Sequence, residues 1–225
     1  GLELISVQSG KADFEIVNGS SKNKGDSPSF PQVACSAAQM DVINTSYTHA
    51  KNIASVAWQS LTNAPVDDRP QAARYLEWFG SYDASRYSKV TTNFGNIQDA
   101  LFNKTITATC PTDCQDTYAY VYPNEPYLIY FCGLFFSAPF TGTDSKAGVF
   151  VHELSHFNII AGTDDVVYGQ ANARELARSY PATAITNADN YEYFAENTPP
   201  LEMPAESSDD GGGGGGGCFI RSLMD

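Results

Sequence analysis

The stretch His152-Glu153-Leu154-Ser155-His156 decides how this chain is read. It holds two of the three histidines in 225 residues. Residues four apart share one face of an α-helix, so both imidazoles can converge on a single ion. Val149, Phe150, Phe157 and Ile160 flank them, and neither Pro nor Gly occurs from 149 to 161, which predicts a helix ending at Gly162. Glu153 sits a step round that helix. There a carboxylate can stand over an activated water without ligating the metal, as a general base must. The ordinary alternative is an exposed helix with two solvated histidines and a salt-bridging Glu. The apolar flanks argue against it.

A catalytic zinc site takes three protein ligands and leaves a fourth position for water. The metzincin form wants Gly and His three and six residues beyond His156. Ile159 and Gly162 stand there, which excludes that class. Two third ligands remain open. One is Glu175, in the helix-like run Asn172–Ser179, an arrangement like that of the gluzincins. The other is an Asp of Gly162-Thr163-Asp164-Asp165, just past the motif helix.

Working outward, Ala37, Met40, Ile43, Tyr47, Ala50, Ile53, Ala54, Ala57, Trp58 and Leu61 recur at helical spacing and predict one long helix from Ser36 to about Leu61. Asp68-Arg-Pro-Gln predicts the start of a second helix, with Pro70 near its first position and Gly80 past its end. A third is expected over 83–101. Thr117–Tyr122 and Tyr127–Cys132 are short and rich in Tyr, Val and Ile, with Pro123-Asn-Glu-Pro126 between them, and predict a β-hairpin or paired strands. Helical spacing returns near Lys146 and runs, with breaks, to Asn197.

The ends differ in kind. Residues 1–17 read as one or two strands and 18–34 as a flexible tether, together a propeptide remnant and linker. The region 198–225 carries Pro199-Pro200, an acidic patch and seven glycines at 211–217, and is expected to lack fixed structure. Lys22 and Lys24 in the tether are candidate points of self-cleavage.

The chain has 13 Lys+Arg against 26 Asp+Glu, a formal charge of −13. That balance argues against a nucleic-acid partner, which needs basic clusters for phosphate. No run of about 18 apolar residues suggests a membrane span. Of the five cysteines, Cys35, Cys110, Cys114, Cys132 and Cys218, none forms a CxxC pair. With sequons at Asn18, Asn44 and Asn103 and few lysines, they favour a secreted protein with two disulfides. Four cysteines allow three pairings, and composition does not choose among them.

His-Glu-x-x-His followed by Gly-Thr-x-Asp-x-x-Tyr-Gly is the signature of the aspzincins, the deuterolysin family of metalloendopeptidases. Gly162-Thr163-Asp164-Asp165-Val166-Val167-Tyr168-Gly169 matches it throughout. Residues 35–197 further resemble the fungal peptidyl-Lys metalloendopeptidases of that family. The matching stretches are Trp78-Phe-Gly-Ser-Tyr82, Tyr118-Ala-Tyr-Val-Tyr-Pro-Asn124, Thr141-Gly-Thr-Asp-Ser145 and Asn187-Ala-Asp-Asn-Tyr-Glu-Tyr-Phe194. The resemblance implies a zincin-like α+β fold, mainly helical, with a small antiparallel sheet or hairpin over the active-site helix. It implies one Zn²⁺ per chain held by His152, His156 and Asp165, with Glu153 as base and Tyr168 as donor to the transition state. Asp164 takes no role. It implies that Asp189 and Glu192 grip a substrate lysine at P1′, and that Cys35 pairs with Cys110 and Cys114 with Cys132. By spacing alone, Asp189 and Glu192 would read as acids favouring a helix N-terminus. The implied protein is a secreted monomer acting on protein or peptide substrates, with no nucleic-acid or membrane partner.

Overall fold

Ser36 starts the long helix by a reciprocal cap. Its hydroxyl accepts from Gln39 N–H at 3.3 Å, and Gln39 Oε1 accepts from Ser36 N–H at 2.9 Å. The helix, α1, runs Ala37–Asn63, and it buries Met40, Ile43, Tyr47, Ala50, Ala54, Ala57 and Leu61 along one stripe. The computed structural model describes residues 14–16 and 33–204. Asn18, Lys22, Lys24, Cys218, the glycine run and most of the expected tether and tail lie outside the described residues.

Residues Val66–Gln71 form a 3-10 turn that contains Pro70, and α2 follows as Ala73–Phe79. Pro70 therefore does not open the second helix. Ala72, in an extended conformation with ψ 99°, separates the two pieces. Asp83 caps α3 (Ala84–Asn103), whose Tyr87, Val90, Phe94, Ile97 and Leu101 are buried.

The sheet holds β1 (Phe14–Ile16), β2 (Ile106–Thr109), β3 (Ala119–Tyr120) and β4 (Leu128–Phe131), in the order β1-β2-β4-β3. The expected hairpin is present, with Ala119 opposite Phe131 and Tyr120 opposite Tyr130, antiparallel. The sheet as a whole is mixed, not antiparallel, because β2 runs parallel to β4 and β1 parallel to β2. β2 has four residues, too few for its alternation to stand out in the sequence. The structure joins Cys35 to Cys110 at the end of β2, and Cys114 to Cys132 at the end of β4.

After α4 (Gly133–Ser137) comes α5 (Lys146–His156), the helix that carries the motif. Every residue from Lys146 to Ser155 is buried, as expected of a helix enclosed on all sides. Phe150 reaches Phe131 of β4 and Tyr47 of α1, with ring centroids at 5.2 and 5.7 Å. α6 (Gln170–Ser179), α7 (Pro181–Ala184) and α8 (Ala188–Glu196) complete the chain, with α8 packed along α5.

α5 stops at His156, earlier than the expected Gly162. Phe157 turns extended (ψ 128°) and buries its ring fully in the core. That turn lets the following loop fold back on the helix end.

Candidate active site

His152 and His156, one turn apart on α5, are 9% exposed and half-buried respectively. Their Nε2 atoms lie 3.1 and 3.3 Å from the same oxygen, Asp165 Oδ1. Tetrahedral zinc with bonds of about 2.0–2.1 Å separates neighbouring donors by about 3.3 Å. The trio fits that ion.

The tautomers support the fit. His156 Nδ1 lies 2.8 Å from the Thr163 carbonyl oxygen, which only accepts, so Nδ1 carries the proton. His152 Nδ1 faces Asp189 Oδ1 at 2.9 Å and Glu192 Oε2 at 3.1 Å, both carboxylate oxygens. Each Nε2 in the neutral ring is then a lone pair aimed at a carboxylate. Three such lone pairs meeting at one point suit a cation, and Nδ1 donors of this kind are the usual supports of metal-binding histidines. Burial alone would lower both histidine pKa values, but the surrounding carboxylates raise them above the ordinary range. Asp165, despite burial, is held well below the usual carboxylate range by the two imidazoles.

Asp165 arrives on a loop, and the loop is tied down by its neighbours. Gly162 (φ +60°) and Gly169 (φ +84°) bound it in conformations that a side chain resists. Buried Thr163 donates its N–H to the Ser155 carbonyl at 3.1 Å and shares a 2.6 Å hydroxyl bond with Ser155. Asp164 bridges by its backbone to Thr186 and Ala188, and Asn187 Oδ1 accepts from Val166 N–H and Val167 N–H at 2.8 and 3.0 Å. Asp189 Oδ2 accepts from Gly169 N–H at 2.6 Å.

Glu153 is 4% exposed, and burial pushes its carboxyl pKa up against the pull of the two histidines. It lines a cavity of about 530 Å³ together with His152, His156, Asp165, Tyr168, Asp189 and Glu192. Residues 118–121, around β3, form another wall of that cavity. Tyr168 is 61% exposed. Its phenol is pushed up to about 12 by partial burial and by a hydrogen bond to Asp165.

Glu175 is elsewhere. On α6 it pairs with Arg178 and accepts from the Ser179 hydroxyl at 2.6 Å. Among the described residues it joins no cluster with the histidines. Asp189 and Glu192 do reach the cavity, on the first turns of α8, but each also supports His152.

Sequence reasoning missed Thr163, Asn187 and Glu196 as builders of the site. Thr163 and Asn187 stood in quoted motifs without a stated task. Glu196 takes hydrogen bonds from Asp144 N–H, Ser145 N–H and the Ser145 hydroxyl at 3.1, 2.7 and 2.7 Å. It thereby clamps the end of α8 to the start of α5. Gly148 makes room for this, since a Cβ there would collide with Glu196 and lie 2.9 Å from Glu192 Oε1.

The aspzincin family model, described as lysine-specific metallo-endopeptidase, matches residues 66–196. A peptidyl-Lys metalloendopeptidase of Pleurotus ostreatus is 43% identical over 169 residues, covering 75% of this chain and 98% of that protein. An extracellular protease of Aeromonas hydrophila is 59% identical over 133 residues, 59% of this chain. This chain spans only 38% of that protein's length. The solved zinc peptidase from Grifola frondosa superposes with a TM-score of 0.69 at 39% identity, covering 75% of this chain and all of that one.

Proposed function

Because the chain belongs to the aspzincin family of zinc metalloendopeptidases, we propose that it is a secreted endopeptidase that cuts on the amino side of lysine. The observation that carries the chemistry is the convergence of His152 Nε2, His156 Nε2 and Asp165 Oδ1 beside Glu153 in one cavity. These three residues would hold one Zn²⁺. Zinc, when bound, supplies Lewis acidity and lowers the pKa of a coordinated water towards neutrality.

The protein's own groups do the rest. Glu153 accepts the proton of the attacking water and returns it to the leaving amine. Its burial removes competing water and keeps the carboxylate near the proton it takes. The Tyr168 hydroxyl donates to the oxyanion that forms on the scissile carbonyl. Its exposure leaves the ring free to exchange its Asp165 hydrogen bond for that oxyanion. Asp189 and Glu192 supply negative charge to the end of the cavity that receives the P1′ ammonium. The net charge of −13 draws a cationic side chain inward.

Two disulfides and the similarity to an extracellular protease support secretion. No helix among the described residues is long and apolar enough to cross a membrane.

Cleavage-site profiling of a peptide library, with and without a chelator, tests the proposal. New N-termini at Lys, lost on chelation and restored by zinc, are expected. Termini scattered over many residues would discard the specificity, and chelator-resistant cleavage would discard the metal.

A further inference from the structure

We propose that Asp144 is a specificity-determining residue of the same cavity, contacting the P1′ ammonium together with Glu192. This rests on the lysine reading above and adds a residue to it.

The case begins with Asp189, which has its oxygens committed. Oδ1 lies 2.9 Å from His152 Nδ1 as an ion pair, and Oδ2 accepts from Gly169 N–H at 2.6 Å. An ammonium displacing either would loosen a histidine or the loop that carries Asp165. Asp189 therefore contributes field more than contact. Glu192 Oε2 takes the hydrogen bond of the same His152 nitrogen at 3.1 Å. Its other oxygen, Oε1, is left for a ligand.

Asp144 is exposed and lines the cavity with Glu192, Tyr193 and Tyr118. Its carboxylate is oriented from below. The hydroxyl of Tyr193, a side chain only 2% exposed, donates to Asp144 Oδ1 at 2.7 Å. Its backbone is fixed too. Asp144 has φ +52°, a conformation that few non-glycine residues adopt, and its N–H donates to half-buried Glu196 at 3.1 Å. A carboxylate so held, with Oδ2 left over, is poised for a ligand and not a free surface acid. Its field reaches its neighbours. After burial, Asp144 and Glu192 both raise the Tyr118 phenol pKa. A cation between the two carboxylates would be attracted by both.

The geometry also suits lysine. An ammonium has three N–H donors diverging from one atom. It can meet acceptors that arrive from separate elements, here the turn before α5 and the body of α8. A planar guanidinium needs a side-on carboxylate and fits such a pair less well.

The experiment compares kcat/KM for one peptide carrying Lys, Arg or norleucine at P1′. Norleucine keeps the stem and lacks the charge. Wild-type protein is expected to prefer Lys. In Asp144→Asn, which keeps the shape and the Tyr193 bond, the Lys-to-norleucine ratio falls by about tenfold or more, the scale of one charge-assisted hydrogen bond. Tyr193→Phe, which leaves Asp144 in place but unheld, lowers the ratio by about threefold. It also serves as the test if the first variant does not fold. Zinc content is measured on each. A ratio unchanged in both variants overturns the role of Asp144, and so does an equal loss for Lys and norleucine. A wild-type enzyme without preference for Lys overturns the lysine reading itself, and this inference with it.

Discussion

The helix and the loop that meet at the candidate metal site are held by opposite means. On α5, residues 146–155 are all buried, and His152, Glu153 and His156 are positioned by core packing. On the loop 162–169, Asp165 and Tyr168 are exposed, and their positions come from hydrogen bonds given by other elements. One half of the site is as firm as the core. The other is as firm as Asn187 and Asp189 make it. The contrast suits a site that needs a fixed base and a donor able to move.

The largest effects separate the two halves by readout. Asp165→Ala removes the loop's candidate ligand, and the protein is expected to lose zinc and with it activity, while Glu175→Ala is expected to keep both. Metal analysis of the purified variants checks this, and zinc retained in Asp165→Ala but lost in Glu175→Ala would reverse the assignment. Glu153→Gln, on the helix, keeps zinc and loses turnover by about 10²–10⁴-fold.

A middle-sized effect tests whether the loop depends on α8. Asn187→Ala leaves Val166 N–H and Val167 N–H without their acceptor and costs about 1–3 kcal/mol of stability. Zinc affinity falls by about 10–100-fold through the loosened Asp165. Chelator titration measures it. Unchanged affinity would mean that the loop holds itself.

The smallest effect concerns the clamp between α8 and α5. Burial and the nearby Glu192 push the Glu196 carboxyl up to about 8. A carboxyl raised on folding stabilises the fold below its unfolded value of about 4.5, and that contribution is lost as pH rises through about 8. Glu196→Gln removes the dependence. The variant's Tm relative to wild type should therefore climb between pH 4.5 and 8, measured side by side. A constant difference would deny the raised pKa.

Much of the fold was legible because it is local. The stripe of α1 follows from 3.6-residue periodicity, and α3 lies close to its expected span of 83–101. The errors lie where local rules compete with packing. Pro70 suits a 3-10 turn as well as a first helical position, and Ala72 decided between them. α5 carries good helix-forming sequence to residue 161, but burying Phe157 and returning Thr163 to the helix end took precedence. The parallel pairing of β2 with β4 joins segments that no short-range pattern links.

The sequence by itself determined the half of the site that one helix turn can build. His152 and His156 converge because residues four apart share a face, and Glu153 stands a step round from them, whatever surrounds the helix. The choice of Asp165 over Glu175 needed either a family signature or the folded chain, since both lie at workable distances along it. Only the tertiary structure decided what holds Asp165 and what faces the cavity's acidic end. Asn187 meets Val166 across 21 residues, and Tyr193 meets Asp144 across 49. Such hydrogen bonds exist only after the intervening chain has closed, and their partners carry no mark in the sequence beforehand.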